Sequence, residues 1–193
     1  DCVITGINIS REQIRQGTKL ITANHLSHRV DLRYGNALAL DFEDNTFDAV
    51  LCLEVAGDIC VSDAQKAMLV HELHRVLKPG GHVGFSDLVF TSTPTRSEEA
   101  IMRTLLYHEG RELITNWPDY FRRHGFIVKQ CTDMIEHTHG TWLHTLRVYQ
   151  EHRAAVDQRY GRRVARETMA ALAEIPAIMR KYGAFVVLSA QKP

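Results

Sequence analysis

Two carboxylates in this sequence have surroundings suited to moving a proton. Asp87 ends the run "VGFSD", an apolar stretch whose last residue is charged. Asp58 lies a few residues beyond a second apolar run, in "AVLCLEVAGD". A carboxylate in a water-poor site has its pKa raised toward working pH and can then act as a general base. Asp58 has a plainer alternative as an acid at a helix N-terminus, where the macrodipole favours negative charge. The alternative for Asp87 is a satisfied strand-end aspartate. The eleven histidines offer less. "HELH" sets His71 and His74 at i,i+3, not at the i,i+4 of a two-histidine zinc helix. His137, His139 and His144 cluster, but no ligand spacing selects them, and no metal is expected. Tyr107, His108, Trp117 and Trp142 suit either core packing or the apolar walls of a site for a greasy ligand.

Such residues need a scaffold. The chain has 193 residues, 45% of them hydrophobic, enough for one sizeable core. A formal net charge of zero argues against an electrostatic grip on nucleic acid or an anionic membrane. No apolar run approaches the ~20 residues that span a bilayer. The four cysteines, Cys2, Cys52, Cys60 and Cys131, show no CxxC spacing, and Cys52 and Cys131 lie in apolar contexts. A reduced, cytoplasmic protein is the expectation.

"CVITGINIS" reads as a strand from Cys2 to Ile9. Ser10 and Gln13 then have the spacing of a capping box, opening a helix to about Asn24. "RVDLRYGNA" reads as a second strand, ended by a Gly35-Asn36 turn. A turn at Asp44-Asn45 leads to a strand from Ala49 to Leu53. From Asp63 to Leu77, Met68, Leu69, Leu73, Val76 and Leu77 share one helical face. Pro79 and the glycines of "LKPGG" end that helix. A buried strand over 82–87 follows and places Asp87 at its carboxyl end, where open α/β sheets bind ligands. Helices are expected at "SEEAIMRTLLYHEG" and at "NWPDYFRRHGF", and a strand at "FIVKQCTDMIE". A long helical stretch covers about Thr141–Lys181, broken near Gly161 and Pro176. A last strand, Ala184–Gln191, runs antiparallel beside Ile127–Cys131. The alternation predicts an α/β, Rossmann-like, doubly wound and mostly parallel sheet.

The ordered set "TGINISREQ", "RYGNALALDFEDNTFDAVLCLE", "HRVLKPGGHVGFSD", "YFRRHGF" and "VVLSAQKP" resembles the class I S-adenosylmethionine-dependent methyltransferases. Within them it is most similar to bacterial enzymes that act on natural products, sugars and lipids. The resemblance covers nearly the whole chain as one methyltransferase-like domain, residues 1–193. Its helical insertions, at about 92–117 and 137–182, would cover the acceptor. One departure is large. The family's first strand and its Gly-rich turn precede the part that matches here, and this chain shows no such turn. The resemblance therefore implies a C-terminal part of a longer protein, binding cofactor poorly by itself.

The resemblance also implies roles. Asn8 and Ile9 match positions lining the ribose and methionine side of the S-adenosylmethionine pocket. Gln13 matches a glutamine that hydrogen-bonds ribose hydroxyls, unless it only completes the capping box. Gly35, Asn36 and Ala37 match the adenine loop. Leu53 and Glu54 match cofactor positions after the next strand. The histidines that often follow there as the base are absent, which leaves Asp58 to replace one. Asp87 matches an acid in the acceptor pocket. The implied reaction is methyl transfer to a small-molecule acceptor, oxygen before carbon, with S-adenosylhomocysteine as product. A polyketide-pathway cyclase using the cofactor structurally is one alternative, and a non-catalytic binding domain another. The expected partner is a small-molecule acceptor, with a homo-oligomer left open. Nucleic acid and a membrane span are not expected.

Overall fold

Ser10 starts the first helix as the sequence requires. Its hydroxyl accepts the Gln13 backbone N–H at 3.3 Å, so one of the four orphan donors of the helix start is satisfied. The computed structural model describes residues 2–106, 116–138 and 140–193; Tyr107, His108 and His139 lie outside them. Strand β1 (Ile4–Asn8) leads into α1 (Arg11–Ala23) and returns to β2 (Val30–Tyr34), which pairs with β1 in parallel. A segment without regular structure reaches β3 (Phe47–Leu53), with the turn at Asn45 in the left-handed region, φ 57°. The short helix α2 (Ala56–Ile59) and the longer α3 (Asp63–Val76) follow. Strand β4 (Leu77–Phe90) pairs in parallel with β3.

Beyond β4 come α4 (Arg96–Leu106), α5 (Asn116–Arg123), β5 (Ile127–Asp133), α6 (Ile135–Thr138), α7 (Gly140–Glu151), α8 (Arg153–Tyr160), α9 (Arg162–Tyr182) and β6 (Gly183–Gln191). The expected reversal at the end is present: β6 lies antiparallel between β4 and β5. The result is a mixed α/β architecture in two sheets, β1-β2 and β3-β4-β6-β5. β1 and β3 each have a strand neighbour on one side only among the described residues.

Three local readings need correction. Pro79 and the glycines do not separate helix from strand: β4 begins at Leu77, and Lys78–Gly81 bulge out as the register passes from Phe47↔Leu77 to Ala49↔His82. Gly80, at φ 79°, supplies the backbone conformation that this bulge needs. At its other end β4 runs on to Phe90, because β6 continues the ladder through Phe90↔Gly183. Asp87 is thus inside a strand rather than at its end. Finally, Pro176 lies within α9, not at a break. A mid-helix proline costs about 3 kcal/mol, and burial of Leu172, Ile175, Ile178 and Met179 on the same helix offsets it. Gly161, at φ 81°, does separate α8 from α9.

The main core gathers Leu69, Val70, Leu73, Val83, Phe85, Trp117, Phe121, Val186 and Leu188 from α3, β4, α5 and β6. Met68, assigned to the buried face of α3, is exposed. A second cluster joins Phe90 and Met102 to Ile175, Ile178, Met179 and Tyr182 of α9. No described residue before Cys52 is buried. Among the described residues no helix is long and apolar enough to cross a membrane.

Candidate functional site

The bend from β1 into α1 gives the first part of the site. Asn8 is the last residue of β1, and the backbone N–H of Ser10 donates to its Oδ1 at 2.8 Å. A backbone N–H only donates, so the oxygen of Asn8 must face it. The Asn8 amide nitrogen therefore meets Gln13, 2.6 Å away, and Gln13 answers with Oε1. This leaves the Gln13 NH2 group as a donor at the exposed end of the pair. The capping box is only half made, since Asn8 rather than Gln13 takes the Ser10 N–H. The Gln13 side chain is not used up in capping. Ile9, 61% exposed, offers an apolar side chain next to the pair.

The end of β2 is tied to the same place. Gly35 donates its N–H to the Asn8 carbonyl at 3.1 Å. A Cβ at Gly35 would come within 3.3 Å of Ile7, so glycine permits the close approach. Asn36 Oδ1 accepts the Leu38 N–H at 3.0 Å, which holds the turn and leaves the Asn36 amide nitrogen to other partners. Gly35 and Asn36 line a small open pocket with Ile7, Arg33, Tyr34, Leu40, Asp41 and Phe42. Ala37 packs instead against the main core. Arg33 is paired with Asp31 at 2.6 Å, and Arg11 stacks over the Tyr34 ring at 4.5 Å. The pocket offers apolar walls at Ile7 and Phe42 and polar groups at Asn36 and Asp41, a composition suited to a flat heteroaromatic ring with an amino substituent. Ile7, Asp41 and Phe42 were not expected as lining residues. The only sequence signal for them is the alternation Leu40-Asp41-Phe42, which sets one acid between two apolar residues.

β3 ends at Leu53, which is exposed. Glu54 follows with φ 53° and donates its N–H to Ser86 O at 2.8 Å. A left-handed non-glycine residue costs roughly 1–2 kcal/mol, here the cost of a sharp turn from β3 into α2. Asp58 is exposed on α2, with its N–H bonded to Val55 O. Asp87 is different, being 3% exposed. Leu53↔Ser86 is the last parallel pair between β3 and β4, so Asp87 stands just past the end of that ladder. Cys52 and Cys60 lie close enough to feel its charge. Burial first, and then Asp87, push the Cys52 thiol up to about 12 and the Cys60 thiol up to about 11. Both are neutral thiols rather than nucleophiles. Their place beside Asp87 was not foreseen, and Cys131, read as apolar in context, is exposed. Trp117 is fully buried against Phe85 and belongs to the core; its Nε1–H has no hydrogen-bond partner among the described residues.

Residues 2–85 match the methyltransferase domain family. The same architecture is found in the crystal structure of the [4+2]-cyclase SpnF, at a TM-score of 0.81 and 25% identity, over 100% of this chain and 66% of that one. The chain has the class I methyltransferase fold. Among relatives of this methyltransferase fold, methyltransferase GfsG of Streptomyces halstedii is 28% identical over 72% of this chain and 49% of its own. The 27-O-demethylrifamycin SV methyltransferase of Amycolatopsis mediterranei is 24% identical over 74% of this chain and 52% of its own. The chain thus spans about half the length of these two relatives.

Proposed function

We propose that the protein transfers a methyl group from S-adenosylmethionine to a small-molecule acceptor. The observation that carries this reading is the convergence of β1 and β2 at their carboxyl ends, where the Gly35–Ile7 approach, the Asn8–Gln13 pair and the pocket beside Asn36 come together. The adenine ring would rest between Ile7 and Phe42, with Asn36 and Asp41 toward its amino group. Gln13, with its oxygen already engaged, would donate to a ribose oxygen. Leu53 and Glu54 would line the side facing β3. When bound, the sulfonium supplies a methyl group activated by its own positive charge, displaced in line by the acceptor.

Asp87 is the base we assign, because it is buried and fixed within a strand, whereas Asp58 is exposed. For an oxygen acceptor, the Asp87 carboxylate would take up the hydroxyl proton as that oxygen is methylated. An oxygen acceptor of natural-product type is favoured by the name of the Amycolatopsis relative. The helices α4 and α6 to α9 would cover the acceptor. A second reading, a cyclase using the cofactor only as scaffold, is favoured by the likeness to SpnF, named as a cyclase. The test has two arms in the full-length protein. Gln13→Ala should weaken cofactor binding by roughly 1–3 kcal/mol in calorimetry, as a buried ribose oxygen loses its donor. Asp87→Asn should lower methyl turnover with cofactor affinity nearly intact. Near-normal methyl turnover in both Asp87→Asn and Asp58→Asn would remove general-base catalysis by these residues and leave alignment of acceptor and methyl to carry the rate, whereas cyclised product formed without methyl release would favour the cyclase.

A further inference from the structure

The segment that forms the far wall of the pocket is held from α3, more than thirty positions along the sequence. Leu40 and Phe42 line the pocket, and their backbone groups are bonded to side chains of α3. The Leu40 N–H donates to Glu72 Oε2 at 2.6 Å. The Leu40 carbonyl accepts from Arg75 Nη2 at 2.8 Å, and the Phe42 carbonyl from Arg75 Nη1 at 2.7 Å. Arg75 is itself oriented by Glu72, through Nε–Oε1 at 2.7 Å and Nη2–Oε2 at 2.8 Å. These side chains are 23% and 12% exposed, so water competes little. The remaining contact of the guanidinium, to Asp44 at 2.9 Å, is with a carboxylate that is 68% exposed. The planar fork of Arg75 thus spans two carbonyls of one loop while Glu72 holds both the fork and the Leu40 amide.

We propose that Glu72 and Arg75 are positioning residues for the cofactor pocket, acting through the backbone of Leu40 and Phe42. This rests on the function proposed above. A segment without helix or strand must be ordered when a ligand binds, and that ordering weakens affinity. The clasp orders Leu40–Phe42 beforehand. Phe42 is anchored on its other side by an edge-on contact with Phe47 of β3, ring centroids 4.9 Å apart. A lysine at position 75 keeps the charge but cannot present the fork, so it cannot hold both carbonyls and Glu72 at once.

The test uses the full-length protein with S-adenosylhomocysteine as the calorimetric probe, with turnover and melting temperature measured alongside. Arg75→Lys should raise the Kd more than ten-fold and Glu72→Gln three- to ten-fold. Asp44→Ala, which removes only the exposed contact, should stay within two-fold. At saturating cofactor, kcat should stay within two-fold in all three variants while the KM for cofactor follows the Kd. A merely structural clasp would lower the melting temperature and leave the Kd of the folded protein unchanged. If Arg75→Lys fails to fold, Glu72→Gln carries the same test. Binding within two-fold of the unaltered protein in Arg75→Lys, or in Glu72→Gln when it stands in, overturns the clasp alone. No binding by the unaltered protein overturns the function proposed above and the clasp with it.

Discussion

The β1-α1-β2 unit and the β3-β4-β6-β5 sheet are built to different standards. The sheet holds the main core, with Phe85, Leu69, Trp117, Phe121 and Leu188 almost wholly removed from water. The unit has no buried residue, and Val3, Ile4, Ile9 and Leu20 are exposed on it. Yet most of the proposed cofactor contacts lie on the unit or on the loop that follows it, while the proposed base Asp87 lies in the sheet. Ligand-binding segments are commonly drawn from the less stable parts of a fold. Here the weakly packed half gains order from hydrogen bonds at its strand ends and from the Arg75 clasp, rather than from apolar burial.

The comparison breaks first on stability. Phe85→Ala should cost about 3–5 kcal/mol, the usual range for an emptied aromatic core site. Leu32→Ala in β2, only half-buried, should cost under about 1 kcal/mol, since little apolar area leaves water there. Urea unfolding of the two variants measures both, and equal costs would show that the unit is packed as tightly as the sheet.

A second contrast is in alkali. The thiols of Cys52 and Cys60 are held above their ordinary value of 9.0, at about 12 and about 11. A thiol whose folded pKa is raised contributes stability that is fully present below pH 9 and lost as the pH climbs, because only the unfolded chain then releases the proton. By about pH 11 the loss from Cys52 should be on the order of 2 kcal/mol. Comparing the pH slope of unfolding with that of Cys52→Ala isolates the effect.

How much of this was legible in the sequence differs from residue to residue. The antiparallel β6 was readable because an apolar run follows a long helical insertion, and Ser10 was readable as a cap because its geometry is local. The extent of β4 was not. Its last residues, Leu88–Phe90, are strand only because β6 lies beside them, so a charged Asp87 looked like an end. Pro176 was misread because tertiary burial outweighs the lost backbone bond. For the proposed site, the sequence pointed to Asn8, Gln13, Gly35 and Asn36, and the fold brings them to one end of β1 and β2, but the polarity of the Asn8–Gln13 pair depends on the bend between strand and helix. The Arg75 clasp joins residues 33 and 35 positions apart, with no periodic trace.

Two finer contrasts remain. A Cβ at Gly81 would meet backbone oxygens of Lys78 and Asp48 at 2.8 and 3.1 Å, whereas one at Gly6 would meet the mobile tip of Leu32 at 2.6 Å. Gly81→Ala should therefore cost roughly 1–3 kcal/mol, and Gly6→Ala less, because a side-chain tip can move aside. Thermal melts of the pair decide this, and the reverse order would contradict it. Asp48→Asn, which breaks an exposed pair with Lys78, should change stability by less than about 0.5 kcal/mol in the same assay. A larger loss would give surface charge a weight in the sheet that burial now carries.

Amide hydrogen exchange of the full-length protein, with and without S-adenosylhomocysteine, tests the central claim most directly. Residues 7–13 and 33–39 should exchange rapidly in the free protein, and ligand should slow them at least ten-fold, whereas the Leu40 amide, already held by Glu72, should be protected from the start. Core amides of β4 and β6 should change little. Unchanged exchange in both segments at saturating ligand, or protection confined to α7–α9, would place the cofactor elsewhere and contradict the site proposed at the ends of β1 and β2.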